Sequence, residues 1–355
     1  MEDLARPAPH PPRRELDALA AHHRLPGPAI DALFELAAAR PTREEDLRLL
    51  RRGLGLSGVL SLSAGVVFFV AANWAAIGIF GRFALLQALL VAAGATALAR
   101  PPPERAGKLA LLAAFILTGA LLALYGQTYQ TGADVYELFL AWAGLGLPIV
   151  VAAGWSVGWG AWVLVVDVAL ALLCGWLPGV HVLWTLLGAW GFTAPVLFAA
   201  ATLVNLALWA ACEASAGTRL AAIATPWLGR LLVGAAAGFG AWGAVAAIVF
   251  SSDAGGRLGH ARTGGGGLLA MVLLAGAVAV AWQTLRRRRD VFPVAAIAAA
   301  VVAIGTATII RALEGGGGLE AMFFAVSIWL VASSTASGWV LMGLVRQWRA
   351  EGTLA

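Results

Sequence analysis

Three places in this sequence gather side chains that can do chemistry. The first is YGQTYQTGADVYE, residues 125–137, where two Gln, three Tyr, two Thr, one Asp and one Glu fall within 13 positions. All the tyrosines of the chain are here. Aromatic faces beside amides and carboxylates form a recognition surface for a polar ligand such as a headgroup, sugar or peptide. Gly126 and Gly132 permit tight turns around it. The plainer reading is a well hydrogen-bonded connector that closes one end of a helix bundle. The second place is AANW, Ala71 to Trp74, followed by Arg82. The Asn73 amide can cap a helix end and Trp74 suits a membrane interface, while Asp134 or Glu137 can pair with Arg82. Asn73, Trp74, Arg82, Tyr125, Gln127, Tyr129, Gln130, Asp134, Tyr136 and Glu137 thus form a candidate pocket.

The third place is intramembrane. Asp167 and Asn205 lie inside two consecutive apolar runs. A charge at the bilayer centre costs at least about 2.5–3.5 kcal/mol on insertion scales. Asp167 must therefore be paired, hydrated or protonated, and Asn205 is within reach if the two spans are neighbours. One reading is a proton- or ion-carrying site. The other is a protonated Asp bonded to a Ser, Thr or Asn of a nearby helix.

No catalytic apparatus accompanies these places. GxSxG, HExxH and Walker patterns are absent, and the five histidines do not converge. Neither Cys174 nor Cys212 has a neighbouring Cys or His for a metal, and on the topology below they face opposite sides of the membrane, too far apart for a disulfide. No catalytic residue, metal site or cofactor is expected. Gly234 to Gly238, GAAAG, matches a small-xxx-small packing pattern. The glycine runs starting at Gly264 and Gly315 read as hinges, since no Lys-Ser/Thr follows them.

The elements that position these residues follow from composition. Of 355 residues 61% are hydrophobic and only 12% charged, with mean hydropathy +0.84. A soluble globular protein carries about 25% charge, so that class is excluded, as are disorder and collagen. Residues 1–52 hold 18 charges and the 293 residues 53–345 only 22. The apolar body divides into runs near the 20 residues that cross a membrane. Ten are read: 54–73, 83–99, 109–125, 138–154, 156–175, 193–212, 227–250, 266–285, 291–310 and 320–345. The apolar stretch 180–192 reads as an interfacial or half-inserted segment, with Pro195 near the start of the following span. The last run carries Ser333, Ser334, Thr335 and Ser337, suited to close helix packing.

Positive residues set the orientation. With the N-terminus cytoplasmic, 20 of the 24 Lys and Arg fall inside, and only Arg82, Arg257, Arg262 and Arg311 outside. Arg286 to Arg289 read as a topology anchor, with a lipid-phosphate site as the sharper alternative; nucleic-acid binding is not expected. The first 50 residues have no apolar core of a cleavable signal.

The expected architecture is all-α: a polytopic integral membrane helix bundle of about ten spans with a short N-terminal helical region. Residues 1–12 form a Pro-rich disordered start, 13–52 a cytoplasmic helical hairpin or cap, 53–345 the membrane domain and 346–355 a cytoplasmic tail. Thr42 and Glu45 make a capping box ahead of the first span. His22 and His23 are adjacent and diverge on a helix.

AANW after the first span, Arg82, and the Gly126 to Asp134 loop leading to Phe139 and Trp142 resemble the bacterial predicted membrane proteins grouped as domain of unknown function 2157. The resemblance covers about residues 13–150. It implies a location and an architecture, not a reaction, and it marks the 73–82 and 125–137 cluster as the distinctive site. Three functions remain open: a transporter- or channel-like protein for a small polar solute, ion or lipid; a non-transporting envelope scaffold whose outer loop or residues 13–52 dock a partner protein; and a membrane enzyme acting on lipid or glycan, which lacks a nucleophile–base pair. Membrane lipids are expected partners in each, in a bacterial inner membrane with both termini cytoplasmic.

Overall fold

The computed structural model describes residues 20, 22–23, 25–36, 43–73, 76–130, 132, 134–173, 194–215, 225–250, 276, 279–280, 290–313 and 318–350. Its helices are α1 (Gly27–Leu36), α2 (Arg43–Ala72), α3 (Ile79–Ala99), α4 (Arg105–Tyr129), α5 (Val135–Ala153), α6 (Ser156–Leu173), α7 (Ala194–Ala214), α8 (Pro226–Phe250), α9 (Val291–Leu313) and α10 (Leu319–Ala350). Among the described residues there is no strand. Nine of these helices, α2 to α10, are long and apolar enough to cross a membrane. The chain is an all-α polytopic membrane protein, as its composition requires. The apolar run 266–285 falls almost wholly outside the described residues, as do Thr42, Trp74, Cys174, segment 180–192, the glycine run from Gly264, Gly315 to Gly317, and Arg286 to Arg289. Gly276, Ala279 and Val280 are helical, and Val280 is buried.

Contacts divide the chain into two compact units, residues 1–58 with 342–355, and residues 59–341. In the first, Pro26 starts α1 by offering its carbonyl to the amides of Ala29 and Ile30, the role expected of the PGP turn. In the second, α3 packs on α4, α4 on α5 and α5 on α6; α6 meets α7 and α8, and α8 also packs on α7 and α9. Half of the α8 membrane window is buried, the largest share of any span. Its Gly234 approaches the Phe292 ring of α9.

α8 and α9 run parallel. Arg230, four residues into α8, bonds Asp290 at the head of α9 at 2.9 Å, and Asp290 also accepts from the Phe292 amide at 3.0 Å. Two parallel spans need an odd number of crossings between them.

One packing device recurs. The Trp142 indole of α5 donates to the Phe115 carbonyl of α4 at 2.8 Å, and a Cβ on Gly119 would run into that indole. Phe115 O is the carbonyl to which the Gly119 amide points in an α-helix. The bare glycine therefore exposes the carbonyl's second lone pair to the ring. Trp329 of α10 makes a related contact on α9, its ring against Gly305 and its indole donating at 3.1 Å to Val302 O, which also takes the Thr306 hydroxyl. Trp162 of α6 donates to Ala143 O of α5 at 2.9 Å, and Trp227 lies against Gly160.

Candidate functional site

The sequence cluster assembles at one end of helices α3 to α6. The Asn73 amide nitrogen donates back to Phe69 O at 2.9 Å, closing the last turn of α2. The Asn73 carbonyl then accepts from Ala76 N and Ile77 N, which turns the chain into α3. Arg82 is buried, and its Nε donates to Ile77 O at 2.8 Å. The two motif residues thus fasten the α2–α3 turn from opposite sides, Asn73 adding its side-chain amide to a carbonyl that already takes its backbone N–H, and Arg82 bonding the Ile77 carbonyl of the turn.

The 125–137 stretch is mostly helix end. Tyr125, Gln127 and Tyr129 sit on the last turns of α4, and Tyr136 and Glu137 open α5. Only residues 130–134 connect them. Gln130 turns the chain with φ 44° and Gly132 with φ 66°. Asp134 holds the position before α5, and with Glu137 it places acid at a helix N-terminus, where the dipole favours it. Tyr125 and Tyr129, one turn apart, have ring centroids 4.8 Å apart. Tyr129 also meets Phe83 of α3 at 6.2 Å, which brings this end of α4 beside Arg82's helix turn. Tyr125, Gln127, Tyr129 and Gln130 are exposed. Tyr136 points the other way: it is buried against Leu172, Phe139 and Val168 and donates to the Glu137 carboxylate at 3.2 Å. The exposed face is therefore aromatic and amide, with Glu137 at its margin.

Asp167 and Asn205 meet. Asn205 Nδ2 donates to Asp167 Oδ1 at 2.8 Å across the α6–α7 seam, and also to Ala201 O at 3.2 Å. Asn205 is fully buried, whereas Asp167 keeps part of its surface open. Asp167 precedes Leu172, which packs on Tyr136, by five residues, about 8 Å along the helix. It is thus the first charged-type group below the tyrosine end. Apolar clusters flank the pair along the seam. One contains Leu170, Ala171, Phe198, Ala201 and Phe239, and the other Val163, Leu208, Trp209 and Leu232.

The cavities described elsewhere are apolar. One of about 350 Å³ lies among α7 to α10 between Thr202, Val233, Ile304 and Trp329. A groove of about 890 Å³ between α8, α9 and α10 is lined by alanines with Thr306, Ser334 and Ser337. The sequence did not signal either one, because each depends on which residues of several helices face one another. Among the described residues no group of His, Cys, Asp and Glu can hold a metal ion.

The family described as predicted membrane protein (DUF2157) matches residues 18–159. The match takes in the Asn73–Arg82 turn and the whole 125–137 stretch and ends before Asp167. No curated protein and no solved structure matches the chain.

Proposed function

We propose that this membrane protein is a transporter- or channel-like protein of the bacterial inner membrane, with both termini cytoplasmic, that handles a small polar solute, ion or lipid. The polar end formed by Tyr125, Gln127, Tyr129, Gln130 and Glu137 receives it, and Asp167 is the ion-handling group within the span. The observation that carries this reading is the Asp167–Asn205 bond in the middle of two apolar helices. Polar groups at that depth cost insertion energy and sit where substrate or ion pathways run. The test is proton flux in pyranine-loaded proteoliposomes under an imposed potential. The wild-type protein collapses the pH gradient faster than Asp167→Asn and than protein-free vesicles. Equal rates in all three overturn the reading.

One observation favours a second reading, an envelope scaffold docking a partner. Tyr125 and Tyr129 stack on each other yet remain 51% and 58% exposed, as an aromatic anchor for another chain would. A photocrosslinker at Gln127 that repeatedly captures one envelope polypeptide supports it, and crosslinks to lipid alone count against it.

A further inference from the structure

The Asn205 amide leaves one atom unexplained. Its nitrogen faces two acceptors, Asp167 Oδ1 and Ala201 O, so both its hydrogens are used and the amide cannot be turned over without setting its oxygen against them. Its Oδ1 is then buried with no hydrogen-bond partner among the described residues. A buried acceptor left unmade costs about 1–3 kcal/mol. A donor is required; the flanking clusters are mostly hydrocarbon, the Trp162 indole in one of them is spent on Ala143 O, and Trp159 lies two turns of α6 from Asp167, about 12 Å along the axis.

We propose that Asp167 is a proton-binding site: its neutral carboxylic acid forms a two-bond ring with the Asn205 amide, Nδ2–H to Oδ1 of Asp167 and Oδ2–H of Asp167 to Oδ1 of Asn205. Protonation adds one hydrogen to the carboxylate and supplies the missing donor in the same step. It also removes the charge from a side chain set within an apolar span. Release of the proton restores a carboxylate held by one amide bond and leaves the Asn205 oxygen orphaned. The bound and free states thus differ in their seam contacts. A hard cation suits the place less, because it asks for about six oxygens and the two side chains offer few.

The titratable groups on the helices packed against α6 stand apart from the pair. On α7, Cys212 and Glu213 lie two turns beyond Asn205, about 10–12 Å along the axis. On α5, the Tyr136 hydroxyl is turned to Glu137 beside Leu172. On α8, Arg230 is bonded to Asp290. Among the described residues, the proton is therefore held by the acid and amide alone.

Infrared spectroscopy of the full-length protein in lipid at neutral pH tests this directly. A carboxylic-acid C=O band is expected that shifts in D2O, disappears in Asp167→Asn, and moves to higher frequency in Asn205→Leu as its hydrogen bond is lost. Asp167→Asn should keep the wild-type melting temperature, since a second amide reproduces both bonds of the ring, whereas Asp167→Leu should lower it. An absent acid band, or one that Asp167→Asn leaves in place, overturns the proposal. So does a melting temperature for Asp167→Asn that falls as far as for Asp167→Leu, a comparison that stands even where Asn205→Leu does not fold. Its use in transport rests on the reading given above, but the protonation does not: an acid band with no proton flux keeps the ring and removes the transporter.

Discussion

At the residue scale, the two motifs of the tyrosine end divide into parts with different duties. Asn73 and Arg82 spend their hydrogen bonds on the chain itself, at Phe69 O and Ile77 O. Removing Arg82 leaves the part-buried Ile77 carbonyl without its charged donor, and hydrogen bonds to charged groups contribute about 1.5–3 kcal/mol. Arg82→Ala is expected to lose stability in that range in detergent, measured by denaturant titration of tryptophan fluorescence. Arg82→Lys keeps the charge but not the planar fork, so it should fall between. If Arg82→Ala is as stable as the wild type, the turn is held by something else. Tyr125, Gln127, Tyr129 and Gln130, by contrast, are exposed, so their substitution should touch binding rather than folding. The sequence shows which residue types gather here. It does not show this division, because whether an Asn or Arg reaches its own backbone or a ligand is settled by the path of a five-residue turn.

Elements explain how so apolar a protein obtains specific packing. Inside a bilayer there is little hydrophobic drive between helices, so close approach and hydrogen bonds must select partners. The Trp142–Gly119 contact does both, and it predicts a sign change. Gly119→Ala forces a methyl into the indole, an overpacking worth about 1–3 kcal/mol. In a Trp142→Ala background the same substitution meets open space and gains the helix preference of Ala over Gly, about 0.5–1 kcal/mol. The four proteins of that cycle, compared by melting temperature in one detergent, should therefore show a large coupling. An equal cost of Gly119→Ala in both backgrounds would refute the latch. Helix class and nine of the ten expected spans were legible from 20-residue apolar runs, and helix ends less so: α4 continues to Tyr129 where the apolar run stops at 125, because Gly126 to Tyr129 are polar yet still complete its hydrogen-bonded turns. The Trp–Gly pairs were invisible because nothing in a Trp's own neighbourhood names the glycine, 23, 24 or 67 residues away, that it will meet.

For the whole molecule the question is which way the membrane part faces. α4 is 25 residues long, about 37 Å at 1.5 Å per residue, enough to carry its two ends beyond a hydrocarbon layer of about 30 Å. Arg100, Arg105 and Lys108 cluster at its start. At its other end, where Tyr129 meets Phe83, the neighbouring cation among the described residues is Arg82, which is buried and bonded to a carbonyl. Lys and Arg near span ends favour the cytoplasm, so the start of α4 should face inward and the tyrosine end outward. The parallel α8 and α9, tied by Arg230 and Asp290, bear on the rest of the count. A single crossing by the apolar run 266–285, as its sequence predicts, would make the total even and return both termini to one side. Single cysteines at Gln127 and Glu104, both exposed, in a background with Cys174 and Cys212 replaced by Ser, make this measurable. A membrane-impermeant maleimide should label Gln127→Cys in intact spheroplasts and Glu104→Cys only after lysis. The opposite pattern would invert the protein and turn the Tyr125–Tyr129 surface to the cytoplasm. Equal labelling of both before lysis would mean that α4 does not cross, and the membrane depth argued for Asp167 would fall with it.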